Sequence, residues 1–256
     1  MRNWLPLLLI LALTLAACGD DSAPPPPAPT DTPAGLDATA EPQSAFELES
    51  LVPGLHVRNG LTVLTHSEGV REGVGYFFAE VRNDSDQWLS QVDAVIYVLD
   101  QDGLKLDEIS ANPLITDIPP GQVFYAGQSF PLPDGYADTQ RWLWYTPTDE
   151  PSLQGVFNLP ASITSQSMSE SGLYTVSGTA QNTTNADLYF PVIDVALIGP
   201  DDNLVGLAHA TLLTGRDDGL WPAGAEVPFE AQFPFISVGP ELVSEVRISA
   251  VGYLVP

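Results

Sequence analysis

The chain has a single cysteine, Cys18, and only 8 lysines and arginines against 33 aspartates and glutamates, for a formal net charge of −25. One thiol cannot close a disulfide within the chain or build a thiolate metal site. So few cations leave no basic patch to neutralise phosphates, which excludes nucleic acid as a partner. The same acidity sets the folded part against an anionic membrane surface. Histidine is almost as scarce: His56, His66 and His209 are scattered, and no two stand at metal-ligand spacing. There is no G-x-S-x-G elbow, and no Ser, His and acid grouping stands out. Gly73-Val74-Gly75 is followed by the strand-like "YFFAEV", which argues against a phosphate loop. These absences predict a protein that is not an enzyme. Long apolar runs are missing too: Trp4 to Leu15 is roughly 12 residues, short of the ~20 that a membrane-spanning helix needs. No window shows helical spacing, and 24 prolines oppose long helices.

What is present begins at the N-terminus. Arg2, a short apolar core and then small residues read as a secretory signal peptide over residues 1–18. Leu15-Ala16-Ala17-Cys18 resembles the bacterial lipobox, the signature of the lipoprotein signal family. The resemblance implies that the Cys18 thiol receives a diacylglyceryl group and becomes the new N-terminus. Further acylation would supply the second chain that stable anchoring requires. The protein is then expected at the cell membrane, lipid-anchored on the extracytoplasmic face, with no thiol left in its mature form. The competing reading is a leftover cysteine beside an ordinary cleavage site. Residues 19–45 are mostly Pro, Ala, Thr, Ser and Asp, with one leucine. They predict a disordered tether, biased to polyproline II by seven prolines and reaching up to ~80 Å.

From residue 46 the chain repeats itself. "EVRNDSDQWLSQVDAVIYVLDQDG" starts at Glu80 and "TAQNTTNADLYFPVIDVALIGPDD" at Thr179, so Asn83 falls on Asn182, Leu99 on Ile198 and Asp102 on Asp201. Pro119-Pro120-Gly121 likewise matches Trp221-Pro222-Ala223-Gly224. Identity is low, but strand, polar turn, apolar run and turn recur in order, as in a tandem duplication of a domain of about 100 residues. Short aromatic and β-branched runs separated by turns predict an all-β fold. The expectation is two tandem immunoglobulin-like antiparallel sandwiches, over 46–150 and 151–256, of about seven strands each. "VDAVIYVLD" reads as a central strand covered on both sides, and "EVRISAVGYLV" as a strand alternating Val246, Ile248 and Ala250 with Arg247 and Ser249.

Ile96-Tyr97-Val98-Leu99-Asp100, followed by Gln101-Asp102-Gly103, resembles the signature of the FxLYD domain, a small β-sandwich of bacterial and archaeal surface lipoproteins. Asn83 and the Pro120-Gly121 turn before Phe130 match the same pattern. The chain departs from it at Ile96, at Leu99, and in a second copy that reads Val195-Ala196-Leu197-Ile198-Gly199. The resemblance covers about Leu61 to Tyr145 and Leu173 to Tyr253, implies a structural or interaction module, and carries over no site residue.

Two candidate sites come from the residues themselves. In "DQDGLKLDE", Asp100 and Asp102 are candidate calcium ligands near Asp107 and Glu108, with Asp84 and Asp86 as contributors from another acidic loop at the same end of the sandwich. Leu104 stands where an EF-hand needs an oxygen, so the loop is no EF-hand. The preferred reading is a hairpin turn with solvated aspartates, and Asp201-Asp202 and Asp217-Asp218 read the same way. Trp142 and Trp144 lie two apart and share a strand face, a candidate platform for sugar rings. The preferred reading for both is packing in the core or against the second domain. Asn83 and Asn182 stand in N-x-[ST] sequons but read as turn residues.

The functional expectation is a non-catalytic binding or assembly role at the cell surface, with another envelope protein as partner. A carbohydrate or wall-polymer binding module is the alternative. An accessory solute-binding subunit of a transporter is the weaker one, because βαβ periodicity is missing.

Overall fold

The computed structural model describes residues 48–149, 151–153, 155–212, 219–233 and 242–254. Cys18, the tether and Asp217-Asp218 lie outside the described residues. The first copy runs β1 (Leu48–Val52), β2 (Leu55–Arg58), β3 (Leu61–Arg71), β4 (Val74–Asn83), β5 (Trp88–Leu99), β6 (Lys105–Ser110), β7 (Val123–Pro131) and β8 (Asp138–Thr148). The second runs β9 (Gly155–Asn158), β10 (Ala161–Met168), β11 (Tyr174–Gln181), β12 (Leu188–Ile198), β13 (Leu204–His209), β14 (Thr211–Leu212), β15 (Leu220–Trp221), β16 (Glu226–Phe233) and β17 (Glu245–Leu254). The fold is all-β, and each copy is a sandwich of two sheets. In the first, β3-β4-β7 faces β1-β2-β8-β5-β6. In the second, β10-β11-β16-β14 faces β13-β12-β17-β9, with β15 on β12.

The duplication extends to the irregularities. The β3–β4 ladder slips between Val63 and Thr65, and β10–β11 slips between Ile163 and Ser165. The β5–β6 ladder slips between Val98 and Leu99, and β12–β13 between Leu197 and Ile198. Both copies cross from one sheet to the other through the same asparagine. Asn83 and Asn182 are each 0% exposed. The Asn83 amide donates to the carbonyls of Gln87 (2.9 Å) and Ile118 (3.1 Å), and its oxygen accepts from the Ser85 N–H (3.0 Å) and hydroxyl (2.6 Å). Asn182 donates to Ala186 (2.9 Å), Trp221 (2.9 Å) and Pro222 (3.1 Å) and accepts from the Thr184 N–H (3.0 Å) and hydroxyl (2.6 Å). A short amide, with two donor hydrogens and an accepting oxygen, can cap its own turn and hold the facing loop at once. The sequon spacing is therefore the spacing of a turn, with the Ser or Thr closing it. The backbone of each asparagine is held by the next loop: Gly121 donates to the Asn83 carbonyl (2.7 Å) and Gly224 to that of Asn182 (2.9 Å). Both glycines sit at positive φ, 78° and 73°, which a side chain would strain.

The copies also differ in strand direction at their starts. The strand before the first crossing, β2, runs parallel to β8, whereas β9 runs antiparallel to β17.

The two sandwiches share their boundary. Phe78 and Tyr125, on the outer face of the three-stranded sheet, pack into the second sandwich's core, while Val251 and Tyr253 of β17 pack into the first's. This explains two departures from the expected patterns. β17 does not alternate: Ala250 to Tyr253 are all buried, because one face meets its own core and the other meets the neighbouring sandwich. β5 does alternate, with Val95 and Tyr97 half-buried, whereas its counterpart β12 is buried continuously from Ile193 to Ile198. β12 is the strand covered on both sides, because its sheet, and not that of β5, lies against the neighbouring sandwich. Polar bonds fix the boundary as well. Gln122 and Asn158 exchange amide bonds (3.0 and 3.1 Å), the Tyr253 hydroxyl accepts from the Thr116 N–H (3.1 Å), and Asp117 accepts from the Ser152 hydroxyl and the Leu153 N–H (3.1 Å).

Candidate functional site

A cleft of about 540 Å³ opens where the sandwiches meet. Its first wall is the end of β6, the segment Ala111 to Leu114, and Gly127 to Ser129 of β7; its second is Leu207 to His209 of β13 with Gln232 and Phe233 of β16. Gly127 is required there. At φ 137° it approaches β4 so closely that a Cβ would stand 2.2 Å from the Phe77 carbonyl oxygen.

His209 is the chemically distinctive group. Its Nδ1 lies 2.6 Å from the Asp194 carboxylate, and the two residues are direct partners across the β12–β13 ladder. The Ala210 N–H bonds to the Ile193 carbonyl, so the Asp194–His209 pair falls between ladder bonds, where side chains approach closest. Asp194 is buried and His209 keeps 33% of its side chain exposed. Burial pushes the Asp194 carboxyl above the usual carboxylate range, and His209 opposes the rise. His209 lines the cleft with its ring held at Nδ1 by the Asp194 carboxylate. Among the described residues no hydroxyl is hydrogen-bonded to this imidazole, although Ser110 and Ser129 line the same cleft. The amides around it are braced by further carboxylates: Asn112 donates to Asp93 (3.4 Å) and Gln232 to Glu230 (2.7 Å).

The residues singled out in the sequence lie elsewhere. Asp100 caps its own turn, its carboxylate accepting from the N–H groups of Asp102 (2.9 Å) and Leu104 (2.8 Å). Asp107 accepts from the Glu108 N–H, and Glu108 pairs with Lys105 at 2.8 Å. Asp84 is held by Arg82 at 2.5 Å, whose guanidinium lowers its carboxyl to about 2. Asp202, at φ 59°, pairs with Arg247 at 2.8 Å and occupies the turn position that Gly103 fills in the first copy. Among the described residues no three His, Cys, Asp or Glu side chains gather so as to hold a metal ion. Trp142 is 6% exposed, with His56 stacked on it at 4.1 Å, and Trp144 is half-buried.

The Asp194–His209 pair and the cleft were not singled out from the sequence. One signal was there: an aspartate inside the apolar run "PVIDVALI", with a histidine at the hairpin distance beyond the "GPDDN" turn.

No family model matches the sequence, and no curated protein matches it. Among solved structures, that of red sea bream transglutaminase aligns over 77% of this chain at 10% identity and a TM-score of 0.22. The alignment spans 31% of that chain. A likeness this low carries no argument about fold or activity. Among the described residues no helix is long and apolar enough to cross a membrane.

Proposed function

We propose that this is a lipid-anchored extracytoplasmic protein with a non-catalytic role, binding another envelope protein at the cell surface. The observation that carries the proposal is Leu15-Ala16-Ala17-Cys18 directly after a short apolar run, followed by a proline-rich stretch and then the folded part. Cys18 takes the lipid, residues 19–45 hold the sandwiches off the membrane, and the sandwiches present the binding surface. Immunoglobulin-like character and kinship with FxLYD modules belong to the same reading. Both draw support from the duplicated crossings between sheets at Asn83 and Asn182 and from the turns at Gly121 and Gly224. The cleft supports a binding role because it brings amides, hydroxyls and an imidazole together with apolar side chains and, among the described residues, no nucleophile is hydrogen-bonded to that imidazole. A wall polymer is the less supported partner, since the Trp142 ring is covered by His56.

The test is co-purification from native membranes, with the full lipoprotein tagged at its C-terminus and mildly crosslinked. A stoichiometric protein partner is expected. Recovery of the intact protein with glycan and no protein partner would overturn the reading.

A further inference from the structure

The cleft lies between two strand edges. β7 ends the order of its sheet, and β13 ends the order of another. The register shows which backbone groups those edges present. Gly127 donates its N–H to the Ala111 carbonyl (2.8 Å) and therefore points away from β4. The β4–β7 ladder continues without a slip from Arg82↔Val123 to Val74↔Pro131. Alternation then turns the N–H and C=O of Ser129 away from β4 as well. Pro131, two residues on, stands where no ladder N–H is needed, which agrees with that phase. On β13 the bond from Ala210 to Ile193 gives the same result: Leu207 and His209 turn their backbone groups away from β12. An open edge is a template for another strand.

Chemistry narrows what that strand carries. Among the described residues no lysine or arginine lines the cleft. Its amides Asn112 and Gln232 are braced by the carboxylates of Asp93 and Glu230, and the Asp194 carboxylate stands behind His209. The chain around it has a formal net charge of −25. A sugar would need an exposed aromatic face, but among the described residues the one Phe, Tyr or Trp lining the cleft, Phe233, is buried.

We propose that the cleft receives an extended, basic segment of a partner protein, which adds as a strand to the edge of β7 at Ser129 while β13 and His209 close over its other side. Main-chain bonds to Ser129 would set the register, and the partly exposed His209 imidazole would hydrogen-bond the segment. A volume of about 540 Å³ admits a few residues, the size of one short strand. The proposal rests on the protein-binding reading above and names the surface and the partner chemistry.

The probe is a random peptide library, screened against the full lipoprotein in detergent micelles. Selected peptides should be enriched in Lys and Arg and should slow hydrogen exchange at residues 127–131. Ser129→Pro removes the outward N–H and leaves the β4 ladder intact, so it should weaken a selected peptide by at least about tenfold. Gln232→Trp, which fills the cleft from the other sandwich, should do the same if Ser129→Pro fails to fold. Selection of no peptide, selection of peptides that are not basic, or equal binding to the folded variants would overturn the proposal. Crosslinked co-purification with Ser129→Pro separates the two ideas. A partner retained by the variant leaves the binding role and removes the cleft, whereas no partner with the wild type removes the binding role itself.

Discussion

Replacing Asn182 by alanine tests whether the buried asparagine is what holds each sheet crossing. Its amide has two hydrogens for three carbonyl oxygens, and its oxygen accepts two bonds, so about four bonds are lost together. At roughly 0.5–1.5 kcal/mol net for each, the loss spans about 2–6 kcal/mol. Water reaches the Thr184 and Ala186 groups in the opened turn, whereas the Trp221 carbonyl lies in a buried contact. That places the expected value near 3 kcal/mol, or ~6–12 °C in Tm if both sandwiches melt as one unit of about 200 residues. Thr184→Ala removes only the hydroxyl and should cost about 1 kcal/mol. Asn83→Ala should match Asn182→Ala, because the two sites share the same bonding plan. Asn182→Asp should be no milder than alanine, since a carboxylate cannot donate to three carbonyls. Urea unfolding followed by tryptophan fluorescence gives the comparison. A loss below about 1 kcal/mol for both alanine variants would refute the reasoning.

Alkaline pH should unfold the protein through its boundary. Burial raises the phenols of Tyr125 and Tyr253 well above their usual range, with Glu80 adding to the rise at Tyr125. The folded state then keeps protons that the unfolded chain releases near pH 10, so this stability is whole below about pH 10 and is lost above it. Two such groups give a slope approaching about −2.7 kcal/mol per pH unit, and Tyr253→Phe should roughly halve it; a flat urea midpoint between about pH 10 and 12 would contradict this. His209→Ala leaves the Asp194 carboxylate buried without its partner and should cost about 2 kcal/mol at pH 7, less than a fully buried pair because water enters at His209. A carboxyl raised by burial favours the fold below the usual aspartate value and loses that contribution as pH rises. Adding Asp194→Asn to His209→Ala should therefore restore stability at pH 7 and little near pH 4, whereas equal rescue at both would show that the pair's charge is not what matters.

Much of the fold was legible because a duplicated chain carries its pattern twice. The Asn83 and Asn182 turns, the apolar runs after them and the Pro-Gly turns align at nearly constant spacing, and each is fixed by contacts within its own copy. Patterns fixed by the neighbouring copy were not legible in the same way. The alternation written into "EVRISAVGYLV" is overridden because Val251 and Tyr253 are buried by the first sandwich, and Phe78 faces the second sandwich's core although it sits in an ordinary-looking strand. The cleft escaped for the same reason: its walls are more than 70 residues apart along the chain, and each alone is an unremarkable edge. Asp194 and His209 are the intermediate case, local enough to be paired by hairpin register once the "GPDDN" turn is fixed.

The central claim is that lipidation at Cys18 holds this folded unit at the membrane. The most direct measurement is metabolic labelling with an alkyne fatty acid, read together with membrane fractionation, on the wild-type chain and on Cys18→Ser. Label and membrane recovery in the wild type, with both lost in the variant and its unanchored form released in folded state, are the expected result. Unlabelled wild-type protein, or a Cys18→Ser variant that stays labelled at the membrane, would contradict the account.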